Sequence, residues 1–199
     1  MRPISVTMLA AACMVSFAAA AAAGTKLTVH TRTYDVAGKT GAELMEAMDS
    51  KGPRHGFTTR AIAETGYTVR WGFDLAREKG VCRIRRADGT IDVTYTFPQL
   101  ASPVDRPLSR RWGRFMAGVR QHEQTHGRIA MQMMRATEKA LTGLELSDNS
   151  FCGNVRSEAK RRIDTIYAEY EGRQKAFDAR EHRDGGHVDR LVRALIGKN

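Results

Sequence analysis

Five consecutive residues, His122-Glu123-Gln124-Thr125-His126, spell H-E-x-x-H, a pattern suited to metal-assisted hydrolysis. On an α-helix, positions four apart share one face, about 6 Å apart along the axis. Two imidazoles so placed can hold one metal ion, with Zn2+ the expected cofactor. Glu123, next to the first histidine, can take a proton from a water that the metal polarises. The bland alternative is a pair of structural histidines on a packed helix face. Burying two imidazoles on an apolar stripe leaves several ring nitrogens in need of partners, and a metal satisfies two of them at once. Glu123 is therefore read as the catalytic base, and His122 and His126 as zinc ligands.

The third ligand is not given by the motif. The metzincin continuation H-E-x-x-H-x-x-G-x-x-H is absent: Gly127 directly follows His126, and Gln132 and Met133 supply no histidine. A gluzincin supplies a Glu from a downstream helix; Glu158 is at about the right distance and Glu145 is closer, but neither has a supporting motif, and both read as solvated helix residues. His30 alternates within a strand and His55 sits in a Gly/Pro turn region, so both read as surface residues.

The elements that must position the motif follow from periodicity. From Lys26 to about Leu100 the pattern is mostly strand-like, with Leu27, Val29 and Thr31 alternating with polar residues. One helix interrupts it, capped by Thr40, carrying Leu44, Met45 and Met48, and ended by Gly52-Pro53. Strands are expected near Phe57–Ala63, Tyr67–Leu75, Val81–Arg86 and Thr90–Phe97, with Ala87-Asp88-Gly89 as a hairpin turn. From Leu108 the chain reads as helix. Trp112, Phe115, Met116, Val119, His122, His126, Ile129 and Met133 recur at three- or four-residue intervals, so both histidines belong to one apolar stripe. Gly143 suits the end of that helix. Asn154 is placed to cap a second long one, which Asp184-Gly185-Gly186 breaks before a short amphipathic tail. The expected fold is α+β: a small, mainly antiparallel sheet with one helix, then two long packed helices, the first carrying the motif. Residues 24–199 form a single domain, mainly β over 24–107 and helical over 108–199.

Composition fits an exported folded domain. The chain is 42% hydrophobic with a net charge of +10, but its basic residues are interspersed with acidic ones. There is no block of Lys and Arg with interleaved aromatics, so a nucleic-acid partner is not expected. Residues 1–23 read as a signal peptide: Arg2, an apolar run from Ile4 to about Ala20, and Ala21-Ala22-Ala23 as a cleavage site. Cleavage removes one basic and no acidic residue, leaving +9. The run barely reaches spanning length and is dominated by Ala, which argues against a lasting span. The mature protein is expected in the periplasm or secreted, without stable membrane insertion. Cys13 leaves with the signal, and the remaining Cys82 and Cys152 are expected to form a disulfide in an oxidising space.

Several segments, taken in order, resemble the DUF922 family of secreted bacterial zinc-dependent proteases. Tyr34-Asp35-Val36-Ala37-Gly38 is similar to the family's opening segment and precedes the helix with Leu44 and Met48. Tyr67–Phe73 with Trp71 is similar to its central strand. Cys82, Val93-Thr94-Tyr95-Thr96-Phe97-Pro98, Trp112 and Phe115 before H-E-x-x-H, and then Cys152, continue the pattern. The resemblance covers nearly all of the mature chain. It implies a zincin-like peptidase with a peptide or protein substrate. The family ends in a segment of the type Tyr-Asp-x-x-Thr-x-His-Gly, similar to Phe177-Asp178-Ala179-Arg180-Glu181. Glu181 stands in the Thr position and Arg183 in the His position. If that histidine is the third ligand, His187 replaces it by a four-residue insertion made easy by Gly185-Gly186, or His182 by a one-residue deletion. His187 is preferred and His182 is the alternative. The functional expectation is an exported zinc metallopeptidase. Its rival is a non-catalytic, zincin-like metal- or protein-binding module of the cell envelope.

Overall fold

The computed structural model describes residues 24–55, 59–148 and 151–197. The signal peptide read at 1–23, and residues 57 and 58 of one expected strand, lie outside the described residues. The chain runs β1 (Lys26–Val36), α1 (Gly41–Lys51), β2 (Arg54–His55), β3 (Thr59–Arg60), β4 (Glu64–Glu78), β5 (Val81–Leu100), α2 (Arg106–Leu141), β6 (Glu145–Ser147), α3 (Gly153–His182) and α4 (His187–Ile196). This is the expected α+β fold.

The main sheet is mixed: two of its three strand pairings are antiparallel and one is parallel. Strand β5 lies at its centre, with β4 antiparallel on one side (Tyr67 opposite Val93) and β1 parallel on the other (Val29 opposite Val93). The short β6 pairs antiparallel with the start of β5. The parallel pair is possible because α1 and the β2–β3 hairpin lie between β1 and the rest of the sheet, long enough for a crossover.

The turn expected at Ala87-Asp88-Gly89 does not exist. These residues continue β5, opposite Phe73, Gly72 and Trp71 of β4. The chain reverses instead at Lys79-Gly80, both at positive φ (50° and 80°), as a two-residue hairpin requires. Gly89 serves close packing: a Cβ there would lie 2.6 Å from the Met134 methyl and 2.8 Å from the Trp71 ring. An Asp-Gly pair reads as a turn, but here the glycine makes room for an indole.

Helix α2 is the structural axis. Asp105 caps it, its Oδ1 accepting the Leu108 N–H at 2.7 Å. Pro107 sits in the first turn, where its missing N–H costs nothing, so the helix begins at Arg106, slightly before the expected boundary. The apolar stripe packs in three stretches. Phe115, Met116 and Val119 join Leu44, Met48, Phe97 and Leu195. Ala130, Met133 and Met134 pack on Ile91 and Val93. Leu141 meets Val155, Ala159 and the Cys82–Cys152 disulfide. That disulfide, expected from the cysteine count, ties β5 to the start of α3. Asn154 does not cap α3: it lies inside the first turn, and Asp148 Oδ2 accepts the Val155 N–H from before the helix.

Candidate metal centre

His122, Glu123 and His126 lie midway along α2, between the first two stretches of core. His122 and Glu123 are both buried. One helical turn separates the imidazoles, whose Nε2 atoms are 3.2 Å apart. Gly127 lets this part of α2 approach the sheet, since a Cβ there would fall 2.0 Å from the Tyr95 hydroxyl. Opposite lies the C-terminal half of α3, where Gln174, Asp178 and His182 repeat every four residues along one face. Asp178 Oδ1 stands 2.9 Å from His126 Nε2 and 3.3 Å from His122 Nε2. His182 Nε2 is 4.0 Å from the same oxygen. Ligand atoms of His122, Asp178 and His182 all fall within 4.8 Å of one another. Phe177 stacks on the His122 ring and meets the His126 ring edge-on, closing one side of the cluster.

Gln174 fixes the state of His126. Its amide nitrogen donates to the His126 carbonyl at 3.1 Å, so its Oε1 must accept from His126 Nδ1 at 2.6 Å. With Nδ1 a donor, the lone pair of the neutral ring is on Nε2, facing Asp178. A lone pair and a carboxylate oxygen at 2.9 Å need a cation between them, either a proton or a metal ion. Charge states reflect this. Burial alone would raise Asp178 and lower His126, but hydrogen bonds outweigh it: His122 and His126 hold Asp178 well below the usual carboxylate range, and Asp178 and Gln174 raise His126. Burial, with the charge of His122, lowers His182, which favours its neutral, ligating form. Two imidazole nitrogens and one carboxylate oxygen, with a further imidazole beside them, make a donor set that suits zinc.

Glu123 stands apart from these donors. The Thr65 hydroxyl, on β4, lies 2.6 Å from its Oε2 and 3.0 Å from its backbone carbonyl. Burial raises its pKa, more than this hydrogen bond and the two histidines lower it. The site opens into a cleft of about 680 Å³ between residues 59–67 and the α3 face. Strand β4 pairs with no strand but β5 among the described residues, and Glu64, Thr65 and Tyr67 at its start line the cleft.

The three motif residues are thus brought together, and His182 joins them. His187 does not. It begins α4, outside the group of donors, and lines a second cavity of about 380 Å³ with His122, Glu181 and Arg190. The reason is helical continuity: α3 runs unbroken through His182, keeping it one turn from Asp178, whereas Gly185-Gly186 lies beyond the helix end. Sequence reading missed Asp178, Gln174 and Thr65. The spacing Gln174-x3-Asp178-x3-His182 on one helix face was the available signal for the first two. Thr65 had none. Glu145 pairs with Arg83, and Glu158 is held down to about 2 by Arg161 and Arg162, so both are surface ion pairs.

No helix among the described residues is long and apolar enough to cross a membrane. No curated protein and no solved structure matches the chain. A family model does match, over residues 31–186, and its description is a bacterial protein of unknown function, DUF922. That span includes every donor of the cluster, from Thr65 to His182, and the chain belongs to the DUF922 family.

Proposed function

We propose that this protein is an exported zinc-dependent peptidase that hydrolyses peptide bonds in the cleft between β4 and α3. The observation that carries the reading is the meeting of His122, His126 and Asp178 around one point, with Glu123 buried beside them and a cleft in front. His122, His126 and Asp178 are the residues that hold the metal. Zinc there supplies Lewis acidity, which brings the pKa of water near 7 and polarises a carbonyl.

The chain's own residues do the rest. Thr65 engages Oε2 of Glu123, so Oε1 is the oxygen assigned to the attacking water. Glu123 takes the water's proton and returns it to the departing amine, and its burial favours holding that proton between the steps. The open edge of β4 offers backbone N–H and C=O groups to an extended peptide, which fits a strand-like substrate. The N-terminal segment read as a signal peptide supports action outside the cytoplasm.

Metal analysis and cleavage of a broad peptide library test this on wild type and Glu123→Gln. About one zinc in each, with turnover only in wild type, is the expected result. Zinc in both proteins with no cleavage by wild type would rule out the peptidase.

A second reading is favoured by one distance. His182 Nε2 lies 4.0 Å from Asp178 Oδ1, so a fourth protein donor is at hand. Four protein ligands make a closed site with no place for water, as in non-catalytic zinc modules. The visible spectrum of the cobalt-substituted protein distinguishes the two, since an open site exchanges its water for azide and changes colour, whereas a closed one does not.

A further inference from the structure

One buried nitrogen is unused by the site described above. His122 is 6% exposed, and its Nδ1 has no hydrogen-bond partner among the described residues. If Nε2 of His122 gives its lone pair to a metal, Nδ1 must carry the proton of the ring. A buried N–H without an acceptor is rare in folded proteins, and metal-bound histidines nearly always donate this proton to a carboxylate, carbonyl or water. His126 meets the rule through Gln174. His122 has Glu181, whose Oε2 stands 3.9 Å from Nδ1.

That separation is about 1 Å longer than an ordinary N–H···O contact of about 2.9 Å. A side chain with three rotatable bonds can close it. There is space for the movement: Glu181 and His122 both line the smaller cavity with Gln121, Thr125 and Arg190, and His122 is the residue shared with the main cleft. Arg190 donates to the Gly185 carbonyl and forms no ion pair with Glu181 among the described residues. Phe177, one turn before Glu181, stacks on the His122 ring and holds its plane.

We propose that Glu181 is a positioning residue for the metal centre. Its carboxylate accepts the His122 Nδ1–H, fixing the tautomer and orientation that point Nε2 at the metal, as Gln174 does for His126. This inference rests on the metal centre proposed above, and its test reads metal binding rather than turnover.

Zinc affinity of the mature chain is measured by competition with a chromophoric chelator for wild type, Glu181→Ala, Glu181→Gln and Glu169→Ala, the last an exposed control on the same helix. Loss of such an outer partner weakens affinity by roughly 10–100-fold, the fall expected for Glu181→Ala. Glu181→Gln keeps an accepting oxygen and loses less. The control stays within about twofold of wild type, as befits a surface ion pair. The visible bands of the cobalt-substituted Glu181→Ala protein shift as well, which a mere loss of helix stability would not cause. Circular dichroism establishes that each variant is folded. Affinity of Glu181→Ala equal to wild type, with unshifted bands, overturns the role of Glu181 and leaves the metal centre intact. Wild type that takes up no zinc overturns the metal centre and Glu181 together.

Discussion

Helices α2 and α3 both bring donors to the proposed metal centre, but different physics holds them in place. Helix α2 buries apolar side chains along its whole length, from Leu108 to Leu141. Helix α3 is nearly as long yet buries only Val155, Ala159, Tyr170 and Phe177. Its outer face is laced with one-turn ion pairs such as Lys160–Asp164, Arg173–Glu169 and Lys175–Glu171. The disulfide pins its start, and Asp178 and Gln174 meet the two histidines near its end. The difference teaches that His122 and His126 are held by the core, whereas Asp178 and His182 are held by α3 docking onto them. Metal binding should therefore act chiefly on α3.

Perturbing each helix separately tests that contrast. Phe115→Ala removes a fully buried α2 ring and should cost about 3–5 kcal/mol in urea unfolding. A loss under about 1 kcal/mol would mean α2 is not the axis of the core. The paired substitution Cys82→Ser and Cys152→Ser opens a loop spanning 70 residues and should cost about 4 kcal/mol in the same measurement. If stability hardly changes, α3 is anchored by packing alone.

Asp178→Asn should weaken zinc by about 100-fold or more, beyond the effect of an outer partner. In wild type, zinc should raise amide-exchange protection in α3 near Asp178 more than in α2. Equal protection of the two helices would erase the distinction.

Acid should release the metal by way of His126. Its folded pKa lies above the ordinary 6.5, so protons begin to compete with zinc above that pH. Affinity then falls by about tenfold per pH unit as one proton is bound for each metal lost. Asp178, shifted the other way, adds no competing proton until well below its ordinary 3.8. Affinity that stays flat from pH 8 to 5 would remove His126 from the ligand set. Smallest of all, Lys160→Ala should change stability by no more than about 0.5 kcal/mol, because that ion pair is exposed.

Much of this molecule was legible before its structure. The α2 stripe, the Thr40 cap, the disulfide and the α+β class follow from periodicity and composition, which act between near neighbours or through simple counts. The misread turn at Asp88-Gly89 shows where that logic stops: the role of the glycine depends on Trp71 and Met134, which are far from it in sequence. The third ligand shows the same limit. Gly185-Gly186 favours His187 in sequence, but the α3 register brings Asp178 and His182 beside His122.

Residues four apart on a helix must share a face, so the sequence by itself determined that His122 and His126 are paired, with Glu123 beside the first. Local hydrogen bonding dictates that geometry whatever the rest of the chain does. Gln174 reaches His126 across 48 residues, and Thr65 reaches Glu123 across 58. Only tertiary packing decided those meetings, and with them which donors complete the site. They depend on how α3 and β4 dock on α2, and docking is set by the summed burial of many side chains rather than by any local pattern.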